Sequence, residues 1–135
     1  MSASLECRKS GPAGQLSEIV PVPEYIRRVE DILNDLQNWR DDNDLALAVF
    51  TTPDCGVCNA LKPKIAELAE LHPRLTVRYI DLEAHPEAGG QYGVFVVPVL
   101  LLFVQGRETL RLARYFGMHE LEEPVARYAS LLEDA

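Results

Sequence analysis

Six consecutive apolar residues, Leu45 to Phe50, run without a charge and stop at Thr51-Thr52-Pro53-Asp54. A run of this kind suits a strand covered on both faces, and such cover exists only inside a layered α/β architecture. Cys55-Gly56-Val57-Cys58 follows at once, and a helical pattern begins there. One turn of helix brings two thiols at this spacing close enough to close a small disulfide ring. The first of them would sit at the helix N-terminus, where free backbone N–H groups and the positive end of the macrodipole favour an anion. Because the thiolate is the attacking species in disulfide exchange, Cys55 is the expected nucleophile and Cys58 its resolving partner.

The rest of the chain supplies the layers. Residues 1–15, with Ser10-Gly11-Pro12-Ala13-Gly14, read as a mobile tail, and residues 16–135 as one domain. Leu16 to Val22 is a short candidate edge strand. Pro23 suits the opening of a helix in which Ile26, Val29, Leu33 and Leu36 recur at helical spacing and which ends near Trp39. Leu61, Ile65, Leu68 and Ala69 mark the buried stripe of the helix after the dithiol, which Pro63 should kink. Leu75 to Leu82 reads as a strand and Pro86 to Tyr92 as a short helix ended by Gly93. Val94 to Val104 reads as a strand broken only by Pro98, and Gln105-Gly106 as a hairpin turn into Arg107 to Tyr115. Leu121, Val125, Tyr128, Ala129 and Leu132 define a terminal helix that His119 would cap. This order predicts an α/β fold with a central mixed β-sheet and helices on both faces.

Composition narrows the function. A net charge of −8 over 135 residues argues against a nucleic-acid surface and against docking on anionic membranes. No stretch approaches the roughly 20 apolar residues that span a bilayer. The odd count of three cysteines is no disulfide framework, and an isolated CxxC points to the cytoplasm and to catalysis or metal binding. For zinc, the pair supplies two of the four usual ligands, and Cys7, His72, His85 and His119 offer no second paired spacing. No metal is therefore expected. A dithiol kept only for packing stays open, Cys7 reads as a loose surface thiol, and Arg107, Arg111 and Arg114 read as a solvated strand face.

The order of elements, the dithiol at a strand-to-helix junction, Pro63 five residues past the second cysteine, Tyr92-Gly93, and Val97-Pro98 entering the apolar Val99-Leu100-Leu101-Leu102-Phe103 before Gly106 together resemble the thioredoxin family. The resemblance spans about Leu16 to Leu132. It implies a cis bond between Val97 and Pro98 beside the dithiol, with the Val97 backbone pairing with an extended substrate segment by strand addition. Gly56 and Val57 would shape the ring and meet substrate. Against the family pattern, Asp54 stands where thioredoxins proper carry tryptophan, Val57 where they carry proline, Val49 where they bury an aspartate, and Tyr79 where its lysine partner aligns. Asp54 would cap the helix and, as a charge beside Cys55, raise that thiol's pKa.

The expectation is a monomeric cytoplasmic thiol–disulfide oxidoreductase of cell redox homeostasis, working on protein disulfides without a cofactor. Electrons would come from an upstream dithiol reductase or from glutathione. The direction, reductant or oxidant, depends on a potential that sequence does not give; cytosolic poise favours the reductant. The rival is a thioredoxin-like docking module whose groove binds a partner without turnover.

Overall fold

Strand β1 (Leu45–Thr51) is buried along its whole length, as an uninterrupted apolar run requires. In the computed structural model, which describes residues 23–134, it occupies the interior of a four-stranded sheet of order β2-β1-β3-β4. The expected tail, the candidate strand Leu16–Val22 and Cys7 lie outside the described residues. Helix α1 (Glu24–Asp42) leads into β1, α2 (Gly56–Leu71) follows it, then β2 (Leu75–Asp81), α3 (Pro86–Tyr92), β3 (Val99–Val104), β4 (Arg107–Ala113) and α4 (His119–Asp134). The chain divides into two compact units between Asp31 and Ile32; the first contributes the opening turns of α1, where Arg28 meets Glu24 at 3.5 Å.

Period-two alternation sorts the second unit into two cores. Leu45, Leu47 and Val49 of β1 face Leu61, Ile65 and Leu68 of α2 together with Leu121, Val125 and Ala129 of α4. Ala46, Ala48 and Phe50 point the other way, toward Leu36 of α1, Ala88 of α3, and Val94. β1 pairs parallel with β2 and antiparallel with β3, and β3 pairs antiparallel with β4, so the sheet is mixed and covered on both faces. Among the described residues, no helix is long and apolar enough to cross a membrane.

The turn between β3 and β4 has two residues, Gln105 at φ +51° and Gly106 at φ +82°, the sign pattern of a type I′ hairpin. α2 continues through Pro63 to Leu71. His119 does not cap α4; the Glu120 carboxylate accepts the Gly117 N–H at 2.7 Å instead. The expected strand from Val94 is shorter than its apolar run: β3 starts only at Val99, and the Val97–Pro98 bond before it is cis. Val94 is instead tied to the end of α3, donating its N–H to the Gly89 carbonyl at 2.8 Å across a left-handed Gly93.

That closure depends on Gly89 having no side chain. A Cβ there would stand 2.6 Å from the Val94 carbonyl oxygen and 3.2 Å from Leu82. Gly89→Ala is expected to destabilise the protein by about 2 kcal/mol through overpacking. Urea unfolding checks it; an unchanged midpoint would mean the segment moves freely enough to accept a methyl group.

Candidate active site

The two thiols stand at the point where β1 hands the chain to α2. Cys55 itself is the N-cap of α2, with extended backbone (φ −84°, ψ 107°), and its sulfur accepts the Cys58 N–H at 3.3 Å. This corrects the assignment of the cap to Asp54, which is exposed one residue earlier. A carboxylate oxygen is the preferred cap by side-chain chemistry, but the chain enters the helix one residue later. The Cys55 N–H donates to the Thr52 carbonyl at 3.3 Å and the Asn59 N–H to the Cys55 carbonyl at 3.2 Å, so the turn is closed on both sides. No acidic residue occupies the first turn of α2 to offset its positive end.

The pair is asymmetric. Cys55 is partly exposed, whereas Cys58 is 1% exposed. The pKa of Cys55 is lowered, first by the hydrogen bond from the Cys58 thiol and further by the backbone N–H groups of Cys58 and Val57, against an opposing push from burial. Cys58 is pushed up to about 11, chiefly by burial, then by its hydrogen bond to Cys55 and by the charge there. Gly56 and Val57 are exposed, and a side chain at Gly56 would meet open space.

Sheet register brings the second part of the site to the same end. Val99 pairs with Phe50 on one side and Ala113 on the other, so Pro98 and Arg114 emerge where β1 releases Thr52 to Cys55. The Arg114 N–H donates to the Pro98 carbonyl at 2.8 Å. Arg114 has φ +57°, and the Tyr115 N–H folds back to Ala113 at 2.7 Å. Pro98 is buried, Val97 partly exposed, and Phe95, Val57 and Tyr115 are all well exposed.

Val49 lies 1% exposed in the core and pairs with Tyr79 across β1 and β2. Tyr79 is half exposed, with the Lys62 ammonium 5.6 Å from its ring centroid, and burial raises its phenol pKa. A hydrocarbon and a phenol thus occupy the positions where the resemblance puts an acid and its lysine. Among the described residues, no three His, Cys, Asp or Glu side chains gather as a metal would need. Trp39, in the last turn of α1, lies beside Arg78. Arg111, read from the sequence as part of a solvated strand face, instead bonds through its side chain to the end of α3.

A mixed sheet with helices on both faces, carrying an asymmetric dithiol at a helix N-terminus, defines a redox α/β domain. A model of the thioredoxin family matches residues 31–127, and the chain belongs to that family. It is 32% identical over 98 residues to the thioredoxin-like protein YdfQ of Bacillus subtilis, covering 73% of this chain and 88% of that one. The thioredoxin of Alicyclobacillus acidocaldarius is 34% identical over 81 residues, covering 59% of this chain and 77% of the relative. Among solved structures, a mutant thioredoxin from Halobacterium salinarum superposes with TM-score 0.65 at 30% identity, covering 71% of this chain and 84% of its own. Family membership supports chemistry of the thiol–disulfide oxidoreductase type.

The hydrogen bond from the Cys58 thiol is the largest influence lowering the Cys55 pKa, so removing it must raise that pKa. Cys58→Ala is expected to shift the pH midpoint of Cys55 alkylation upward, and Cys58→Ser, which keeps a hydroxyl donor, to shift it less. Iodoacetamide rates against pH measure both; identical midpoints in the two variants would reject the bond's role.

Proposed function

We propose that this protein reduces disulfides in other proteins, with Cys55 as nucleophile and Cys58 as resolving thiol. The observation that supports this most is the division of labour between the thiols: the accessible one is the more acidic, and the buried one is held protonated. The Cys55 thiolate attacks one sulfur of the substrate disulfide, forming a mixed disulfide and releasing the other sulfur, which takes a proton. Cys58 then loses its proton and attacks the Cys55 sulfur. The mixed disulfide breaks, the second substrate sulfur leaves and is protonated, and the domain holds a Cys55–Cys58 disulfide. Two electrons have passed to the substrate. An upstream dithiol protein or glutathione restores the reduced form, and the reductant direction fits a cytoplasmic poise.

In this reading the substrate runs as an extended strand against the backbone of Val97, next to Pro98, and passes over Gly56 and Val57. Backbone pairing holds any sequence, which suits a protein substrate. Asp54, exposed at the rim, adds a negative charge that such a strand meets on its way to Cys55.

Turnover of a protein disulfide with dithiothreitol as electron donor tests the proposal. Cys55→Ser is expected to abolish it, and Cys58→Ser to trap a mixed disulfide that identifies the substrate. Partner binding that survives Cys55→Ser, in a parent without turnover, would reject the reductase in favour of a docking role.

The pH dependence follows from the raised Cys58 pKa. Two of its causes, the hydrogen bond to Cys55 and the charge there, disappear once Cys55 is in the mixed disulfide, while burial persists. The attacking Cys58 thiolate therefore stays a minor species at neutral pH. Below that pKa its fraction rises about tenfold per pH unit, and so should the single-turnover rate of resolution. Stopped-flow release of the second substrate thiol measures this; a rate flat between pH 6 and 8 would show that proton loss does not limit the step.

A further inference from the structure

Strand β4 and the residue that follows it hold the segment between α3 and β3 at both ends. At the start, Arg111 donates from Nη1 to the Gly93 carbonyl at 3.1 Å and from Nη2 to the Tyr92 carbonyl at 2.8 Å. At the end, the Arg114 N–H holds the Pro98 carbonyl. Glu108 grips the same guanidinium with both oxygens, each at 2.9 Å. Residues three apart on a regular strand face opposite ways, so this grip needs an irregularity. The register supplies it: Phe103 pairs with Glu108 and Leu102 with Leu110, leaving Thr109 as an extra residue. The bulge turns Glu108 onto the face of Arg111, and the Thr109 hydroxyl donates to the Leu102 carbonyl at 3.2 Å.

Between the two anchors Val94 is buried, but Phe95 is 81% exposed and Val96 is 41% exposed. A phenylalanine held almost wholly in water by a segment fixed at both ends forfeits the burial that its ring offers. It also stands near the chemistry. Pro98 lies at the dithiol end of the sheet, and the three residues back to Phe95 span at most about 11 Å. Val57 and Tyr115 are exposed apolar surface at that end.

We propose that Phe95 selects the substrate and that Arg111, gripped by Glu108, is the positioning residue that holds it at the dithiol end. This rests on the reductase reading above. The occupant is an extended polypeptide whose disulfide cysteine is flanked by a bulky apolar residue, which buries against the Phe95 ring while the strand lies along Val97. The segment from Phe95 to Val97 carries no charged side chain, so a small polar disulfide has nothing to gain there.

Two synthetic peptides that each close one disulfide, flanked by leucine in one and serine in the other, test this with dithiothreitol as donor. Phe95→Ser is expected to lower kcat/KM for the leucine peptide about tenfold, through KM, and to leave the serine peptide unchanged. Arg111→Met should act in the same direction on the same peptide, with Arg111→Lys partly restoring it. Glu108→Gln, which loosens the grip without emptying it, gives a milder loss and serves if Arg111→Met fails to fold. The pH profile of Cys55 alkylation should match the parent in every variant. Equal losses on both peptides, or none, overturn the selection by Phe95. A shifted alkylation profile in the Arg111 and Glu108 variants reduces Arg111 to a structural part and overturns its positioning role. A parent that turns over neither peptide refutes the reductase reading, and this inference with it.

Discussion

The bond from the Cys58 amide to the Cys55 sulfur ties the fold to the chemistry. It satisfies an orphan donor in the first turn of α2, a structural need of any helix, and it places a donor on the atom that must carry negative charge. The same geometry buries Cys58 one turn inside, so its thiol stays protonated and can donate to Cys55 as well. None of this survives unless the strand before it ends at a fixed point. β1 provides that point because it is buried on both faces and paired on both edges, and it leaves the sheet only at Thr51.

Much of this was legible in the residues. The Leu45–Phe50 run announced a central strand, and thiols three apart at its exit announced the site. Two features are not legible in the residues. Carboxylates are preferred caps, which favours Asp54, whereas helix entry is set by backbone geometry that places Cys55 there. Val94 to Val97 is as apolar as the residues after Pro98, so the pattern starts the strand at Val94. Composition cannot separate an apolar segment that pairs from one that hangs in solvent, and here Phe95 and Val96 are exposed.

Arg111 was illegible for a different reason. Sequence reading assumes period two along a strand, which puts Glu108 and Arg111 on opposite faces. Only the extra residue at Thr109 brings them together, and a bulge of this kind leaves no mark in composition. Once made, the Glu108–Arg111 grip completes the caps of α3: the Tyr92 and Gly93 carbonyls that the helix leaves without partners are taken by the guanidinium. Both side chains are about two-fifths exposed, so solvent screens the ion pair itself and the bonds to the carbonyls carry more of the stabilisation.

The departure at Val49 joins core packing to reaction rate. With a hydrocarbon there, the face shared with Leu61 and Ile65 is continuous and holds no group that needs a buried partner. A carboxylate at a site 1% exposed would cost several kcal/mol unless it were paired or protonated. Tyr79, across the β1–β2 pairing, is a phenol whose pKa burial raises, so it holds its own proton rather than accepting one at neutral pH. Neither residue relieves Cys58. Cys55, already in the mixed disulfide at the resolving step, cannot take that thiol's proton, which must leave to solvent or to a substrate sulfur. The core gains a dry, well-packed face, and the resolving thiol retains the full effect of its burial.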